Sequence, residues 1–248
     1  MVSMGDYGVE AIRLNKFLAD AGVCSRREAD RYIEDGRVTV NGAAASCGLK
    51  VKDTDIVAVD GKPVKTRERT IVLAYYKPEG VTCTEKDTHA RITVTDAVKY
   101  PVRVTYAGRL DRDSEGLLLM TNDGDLIQKM MKGSAGHEKE YLVTIDREVT
   151  DAFLEKMAAG VYLKDLDRTT RPCKVQKAGK YKFRIILTQG LNRQIRRMCR
   201  ALGANVRSLL RERVLSVTLD GLKHGEYREL NEEEVSALYL ACGLGDRL

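Results

Sequence analysis

One stretch places a cluster of charges directly before a run of apolar residues, and it constrains the fold more than any other. In AGRLDRDSEGLLLMTNDG, residues 107–124, Asp111 stands between Arg109 and Arg112. The following GLLLMT has the length and apolar character of a buried strand. The chain therefore places a charge cluster directly against its own predicted core, an arrangement that needs an explanation.

The chain from residue 71 onward alternates β-rich runs with short helical stretches at irregular intervals. This order predicts an α+β fold with a mixed, mainly antiparallel β-sheet and flanking helices, and it lacks the strict strand-helix alternation of a doubly wound fold. The β-rich runs are IVLAYY, VRVTYA, GLLLMT, EYLVTID, KFRIILT and VLSVTLDG. Helices are predicted near residues 125–131, 151–158, 192–202 and 232–241.

The part before residue 63 predicts a separate small domain of two helices and a β-hairpin. Apolar residues recur at helical spacing from Leu14 to Ala21, and Ser25 with Glu28 has capping-box spacing at the start of a second helix. The strand RVTV, the turn Asn41-Gly42 and the strand DIVAVDG follow. We expect a loose tail over residues 1–10, this domain over 11–62, a charged linker over 63–70 and a larger domain over 71–248.

Positive charge is concentrated in one segment although the formal net charge of the chain is only +6. Residues 191–213 hold seven arginines and one acid, Glu212. Within it, a helix with Asn192 as its predicted N-cap has Arg193, Arg197 and Arg200 on one face, and places Arg196 beside the apolar stripe, toward a cleft. Arginine suits phosphate contacts, so we favour nucleic-acid binding over a merely solvated face.

A smaller group of arginines stands at the predicted start of the second helix. Arg26 and Arg27, beside Arg31, are placed to contact phosphates. A solvated helix face explains the same residues, and taken alone it is the stronger interpretation.

Several classes of site and location lack support in the sequence. The six cysteines are scattered singly and the three histidines lie far apart, so neither a zinc site nor a catalytic triad is predicted. No phosphate-binding loop or dinucleotide motif is present. We expect a cytoplasmic protein with reduced thiols, no membrane segment, and no metal or organic cofactor.

Asp111 by itself fits two interpretations. An Asp before a strand, followed by Ser114, is most often a turn or cap residue. Its flanking arginines stabilise the charged form of a carboxylate, which suits a nucleophile. A carboxylate-based hydrolase would need a second catalytic acid, which the sequence alone does not single out.

The stretch around Asp111 closely resembles the catalytic signature of the RsuA-like pseudouridine synthase family. Further stretches follow the order of that family, and the first domain resembles an S4 RNA-binding domain. The resemblance covers residues 12 to about 240 and is nearest to the RluF-type subgroup through QGLNRQIRRM. The further stretches are YYKPEGVTCT (75–84), KEYLVTI (139–145) and QGLNRQIRRM (189–198).

The resemblance implies roles for individual residues. Asp111 matches the catalytic aspartate, which attacks the uridine or abstracts a proton. Tyr141, otherwise a strand core residue, matches the aromatic that stacks on the target base, and Arg196 matches the basic residue paired with the catalytic carboxylate. Arg109 matches a residue that holds the nucleotide out of its stack. Together with the arginine-rich segments described above, the candidate RNA-binding residues are Arg109, Arg112, Asn192, Arg193, Arg197, Arg200, Arg26 and Arg27.

The resemblance also implies a substrate, a uridine flipped out of a stem-loop of ribosomal RNA, with the large subunit favoured. We expect no cofactor, because the isomerisation retains every atom. We also expect a monomer. The alternative is a non-catalytic RNA-binding or ribosome-assembly factor of the same fold, for which the S4-like domain and the arginine-rich helix would suffice.

Overall fold

The computed structural model describes residues 11–65, 69–84, 92–133 and 136–245. The chain divides into two compact units, the first comprising Met1–Thr70, Pro101–Val104 and Asn122–Gly124, and the second the remainder. The tail predicted over residues 1–10 and the middle of the predicted linker lie outside the described residues.

The first unit has the predicted two helices and antiparallel strands. Ser25 caps the second helix by accepting a hydrogen bond from the Glu28 amide, and Asn41 and Gly42 form the turn with positive φ angles of 51° and 82°. A four-stranded sheet has the order β3-β2-β5-β6. The elements are β1 Ile12–Arg13, α1 Leu14–Asp20, α2 Arg26–Glu34, β2 Val38–Val40, β3 Ala43–Ala44, β4 Lys50–Val51, β5 Val57–Val59 and β6 Lys62–Pro63.

The second unit is built on a nine-stranded mixed sheet. Its order is β13-β14-β10-β15-β9-β7-β17, with β16 on β15 and β8 on β9. The elements are β7 Val72–Lys77, α3 Val94–Ala97, β8 Thr105–Tyr106, β9 Glu115–Thr121, α4 Gly124–Met131, β10 Lys139–Ile145, α5 Asp151–Ala159, β11 Tyr162–Leu163, the 3-10 helix Lys164–Leu166, β12 Arg168–Thr169, β13 Lys174–Gly179, β14 Lys182–Leu187, α6 Gln194–Ala201, β15 Val206–Val214, β16 Val217–Thr218, β17 Tyr227–Glu229 and α7 Glu232–Ala241.

The predicted α+β class and mainly antiparallel sheet are confirmed. Within this sheet the described strands pair antiparallel except for β9 with β15, which are parallel. Two clusters of apolar residues in the described part of this unit pack helices on the sheet. One packs α5 and α6 on β10 and β14, and the other packs α4 and α7 on β7 and β9.

Besides several strands of two or three residues, two longer strands of this unit were not predicted, and two predicted runs are short. β15 carries three arginines and β13 is a mostly exposed edge strand, so neither has the apolar run of a buried strand. The run VRVTYA forms only the two-residue β8, and VLSVTLDG contains only the two-residue β16.

The register of the sheet aligns one row of residues across five neighbouring strands. The row runs through Lys77, Gly116, Arg211, Tyr141 and Ile185. The loop that contains Asp111 leads directly into β9, so this row lies immediately below it.

Candidate active site

A cleft of about 370 Å³ opens within the second unit beside this row. Its volume falls in the range of sites that bind small molecules or single groups of larger ones. Its lining contains six of the predicted site residues, Arg109, Asp111, Tyr141, Asn192, Arg193 and Arg196, together with Lys139, Gln189 and Arg211. The structure therefore brings together residues from three separate motifs of the sequence.

The loop that carries Asp111 is fixed by hydrogen bonds on both sides of this residue. The amide of Leu110 donates to the sulfur of Cys83 at 3.5 Å, and the carbonyl of Arg112 accepts from the amide of Gly80 at 2.7 Å. The carboxylate of Asp111 itself is one-third exposed and faces the cleft. Asp111 is thus presented to a ligand from a restrained backbone.

Lys77 shapes the segment that provides one of these anchors. Its side chain is fully buried, and its ammonium donates to the carbonyls of Pro78 and Val81 at 2.8 and 3.0 Å. Burial is the main cause that lowers the pKa of Lys77, whereas the negative charge of Asp111 acts in the opposite direction. The motif KPEG therefore has a structural role, because it holds the segment whose Gly80 amide binds the loop of Asp111.

Arg211 supports the same loop from β15. Its guanidinium is buried and donates to the carbonyl of Leu117 at 2.6 Å and to that of Arg109 at 3.2 Å. The backbones of β15 and β9 meet very closely here, because a Cβ on Gly116 would lie 2.4 Å from the carbonyl oxygen of Arg211. Gly116 also has φ +115°, so glycine is required on two grounds.

Tyr141 lies on β10, opposite Arg211 in the register. It is partly buried against the core cluster of α5 and α6, and it lines the cleft. Two residues earlier, Lys139 lines the same cleft, and burial, followed by the nearby charge of Arg211, lowers the pKa of Lys139. An aromatic ring and buried cations thus form one side of the cleft.

The predicted pairing of Arg196 with Asp111 is not the arrangement found. Arg196 donates to the carbonyl of Asp113 at 2.5 Å and to the hydroxyl of Ser114 at 3.3 Å. Arg193 approaches Asp111 instead, with 3.7 Å between the guanidinium and the carboxylate. The intervening carboxylate of Asp113 explains the difference, because it attracts both arginines.

The predicted N-cap Asn192 is also corrected. Arg193 occupies the N-cap position of α6 in the left-handed conformation, φ 49°, and its side chain makes no capping bond. Asn192 instead accepts two hydrogen bonds from Arg197, through its backbone and side-chain oxygens at 2.8 and 3.0 Å. A non-glycine residue in this conformation is strained, which is a feature found at functional sites.

The other predicted RNA-binding residues lie outside the cleft. Arg112 and Arg200 are exposed, and Arg197 forms an ion pair with Asp165 besides its bonds to Asn192. A separate pair, Arg26 and Arg27, is exposed in the first turn of α2 in the first unit.

Sequence reasoning missed four residues of the site: Lys139, Gln189, Asp113 and Arg211. Arg211 was recognised only as part of a basic segment, because a buried arginine that binds carbonyls has no distinct sequence pattern. The Asp-Arg-Asp spacing of residues 111–113 was the available signal for Asp113.

The described ranges lack two features that are typical of other functional classes. No helix there has the length and apolar character to cross a bilayer. No group of three or more His, Cys, Asp or Glu side chains there is arranged to hold a metal ion.

Comparisons with known proteins give consistent matches over both units. The family model of RNA pseudouridylate synthase matches residues 71–201, and that of the S4 domain matches residues 12–57. A solved structure described as pseudouridylate synthase superimposes with a TM-score of 0.67 at 29% identity, covering 92% of this chain and 99% of the other.

Curated relatives extend the match over nearly the whole chain. The dual-specificity RNA pseudouridine synthase RluF of Shigella flexneri is 46% identical over 92% of this chain and 79% of its own length. The ribosomal large subunit pseudouridine synthase B of Bacillus subtilis is 37% identical over 91% of this chain and 95% of its own length.

Proposed function

This chain belongs to the RNA pseudouridylate synthase family, and we propose that it isomerises one uridine of ribosomal RNA to pseudouridine with Asp111 as the catalytic carboxylate. The observation that carries the assignment of Asp111 is its position: a restrained carboxylate that faces a cleft shared with Tyr141. The name of the Bacillus subtilis relative, ribosomal large subunit pseudouridine synthase B, favours a large-subunit RNA target.

The reaction needs no external reactant. The bond between ribose C1′ and N1 of the base breaks, the base turns, and C1′ bonds to C5. The C5 hydrogen then leaves as a proton, and N1 takes up a proton. Asp111 acts on the target nucleotide as nucleophile or base, and Tyr141 stacks on the detached ring.

The target base has to leave its helix to reach Asp111. A base inside a stacked helix cannot enter a cleft of this kind, so the uridine is flipped out, and Arg109 at the rim holds it there. We propose a monomer, since Asp111, Tyr141 and Arg109 already meet in the cleft of a single chain. Stem-loop RNA suits the site because unpaired loop bases cost least to unstack.

The test is tritium release from ribosomal RNA labelled with [5-³H]uridine and lacking modifications. Formation of pseudouridine expels the C5 hydrogen, so the wild-type chain releases tritium. Asp111→Asn keeps the shape of the side chain, binds the same RNA and releases none. Release by Asp111→Asn near the wild-type rate would remove Asp111 from the mechanism, and no release by either protein would favour the non-catalytic RNA-binding factor.

A further inference from the structure

Two buried side-chain nitrogens of cleft residues lack a hydrogen-bond partner within the described part of the chain, Arg196 Nε and Gln189 Nε2. Arg196 Nε still lies 3.4 Å from the carboxylate of Asp113, whereas Gln189 has no such neighbour within the described ranges. The side-chain nitrogen of Gln189 is inaccessible to solvent and has no hydrogen-bond partner among the described residues. The nearby Gln194 behaves differently, because its oxygen accepts from the Leu191 amide at 3.0 Å and its nitrogen contacts the sulfur of Met198 at 3.8 Å. An unpaired buried amide is costly, and such exceptions call for a functional explanation.

Gln189 lies where a ligand of the cleft would pass. It stands in the loop between β14 and α6, two residues beyond Leu187, which pairs with Lys139 on β10. Asp111 and Tyr141 line the same cleft. An amide at this position can therefore contact a base whose ring lies against Tyr141.

The chemistry of the amide matches one edge of uracil. The Watson–Crick edge of uracil presents the acceptor O4 beside the donor N3–H, and a glutamine amide presents one donor beside one acceptor. Enzymes that flip a base read it through hydrogen bonds to this edge. The two groups can form a bidentate pair when the Gln189 side chain turns toward the cleft, and its orphaned nitrogen then gains its missing acceptor.

We propose that Gln189 is a specificity residue that binds the flipped uracil, its nitrogen donating to O4 and its oxygen accepting from N3–H. This inference rests on the proposed function and adds to it the group that reads the base. The three cleft residues then have different roles: Asp111 carries out the chemistry on the nucleotide, Tyr141 stacks on the base, and Gln189 recognises the edge of the uracil.

The test removes the Gln189 donor from the protein and weakens the O4 acceptor of the substrate, separately and together. A stem-loop RNA with uridine at the target position is compared with the same RNA carrying 4-thiouridine there, because sulfur accepts hydrogen bonds weakly at nearly the same shape. Conversion is measured by chromatography of the digested nucleosides, for the wild-type chain and for Gln189→Met, which retains the length of the side chain. Gln176→Met, an exposed glutamine on β13, is the matched control.

The expected result is an interaction between the two changes. The thio substitution lowers kcat/KM of the wild-type chain and of Gln176→Met by roughly three- to tenfold, the range of one neutral hydrogen bond. It changes kcat/KM of Gln189→Met by less than about twofold, because the donor is already gone.

An equal loss with both proteins would overturn the inference, since Gln189 would then not contact O4. If the methionine variant does not fold, Gln189→Glu supports the same comparison, because it keeps the size of the side chain and removes the donor. Failure of the proposed function is distinguishable, since the wild-type chain would then convert neither RNA.

Discussion

Arg193 donates two hydrogen bonds, of 2.9 and 2.7 Å, to the carboxylate of Asp113. The same guanidinium lies 3.7 Å from the carboxylate of Asp111. Arg193 therefore interacts with two carboxylates, and its contacts with Asp113 are shorter than its contact with Asp111. This arrangement fixes the strained start of α6 against the loop of Asp111.

The first prediction concerns the stability that Asp113 contributes at different pH values. The hydrogen bonds from Arg193, followed by the charge of Arg196, lower the pKa of Asp113 below its ordinary 3.8. A lowered pKa means that the contribution is present above pH 3.8 and is lost as the pH falls through the lower folded value. Because the pair is half exposed, Asp113→Asn should reduce the free energy of unfolding by about 0.5–1 kcal/mol at pH 7.

Thermal or urea unfolding at pH 7 and at pH 3 measures this difference. The difference between the two proteins should shrink at the lower pH, because protonation of Asp113 begins to remove the contribution there. A difference that persists undiminished at pH 3 would show that the ion pair is not its source. Asp151→Asn, at the exposed start of α5, removes a charge without this partner and serves as the control.

The second prediction concerns the close approach of β9 and β15. Gly116→Ala places a methyl group against the backbone of Arg211 and requires a conformation that alanine rarely adopts. We expect a loss of about 3 kcal/mol or more in the free energy of unfolding. Gly179→Ala, where the added atom would meet only ordinary contacts, should change it by less than about 1 kcal/mol. Comparable losses for the two variants in urea denaturation would contradict the predicted clash.

The third prediction concerns Arg211 as a support of the loop. Arg211→Met leaves the carbonyls of Leu117 and Arg109 without their donor, which should cost about 1–3 kcal/mol of stability. It should also lower kcat in tritium release by about tenfold or more, because the loop loses its fixed position. Arg207→Met, an exposed position near the start of the same strand, should alter neither quantity appreciably. An unchanged kcat for Arg211→Met would limit this residue to folding.

The fourth prediction concerns the exposed arginines of the S4 domain. Replacing Arg26 and Arg27 by alanine should weaken RNA binding and reduce the magnitude of the slope of log K against log salt by about 1.4–1.8, if both contact phosphates. The value of kcat should stay the same, because neither residue lines the cleft. Filter binding at several salt concentrations measures the slope. Arg168 and Arg171, exposed in the other unit, provide a double-alanine control of equal charge.

Local patterns in the sequence predicted those parts of the fold that depend on neighbouring residues. The cap at Ser25, the turn at Asn41 and the buried strand after Asp111 are examples, since each follows from a few adjacent residues. β15 was missed because its arginines suggest a solvated surface, while the carbonyls that satisfy Arg211 belong to distant residues. The formation of β15 therefore depends on tertiary contacts with distant residues and not on its local sequence alone.

The candidate site divides in the same way. The family resemblance selected residues that line the cleft, but the contacts between them were not predictable. Arg196 and Arg193 lie one helical turn apart, and the choice of which approaches Asp111 depends on Asp113 and on the left-handed start of α6. The orphaned amide of Gln189 likewise becomes visible only when all possible partners are placed.

The parallel pairing of β9 with β15 also sets the order in which the molecule assembles during synthesis. Arg211 and Leu117, which it joins, are 94 residues apart in sequence. Contacts of such separation form late, because a long loop has to close before they gain any stabilisation. The floor below Asp111 is incomplete until β15 has left the ribosome. A nascent chain can therefore form its S4 domain early but cannot modify RNA before nearly all of it has been translated.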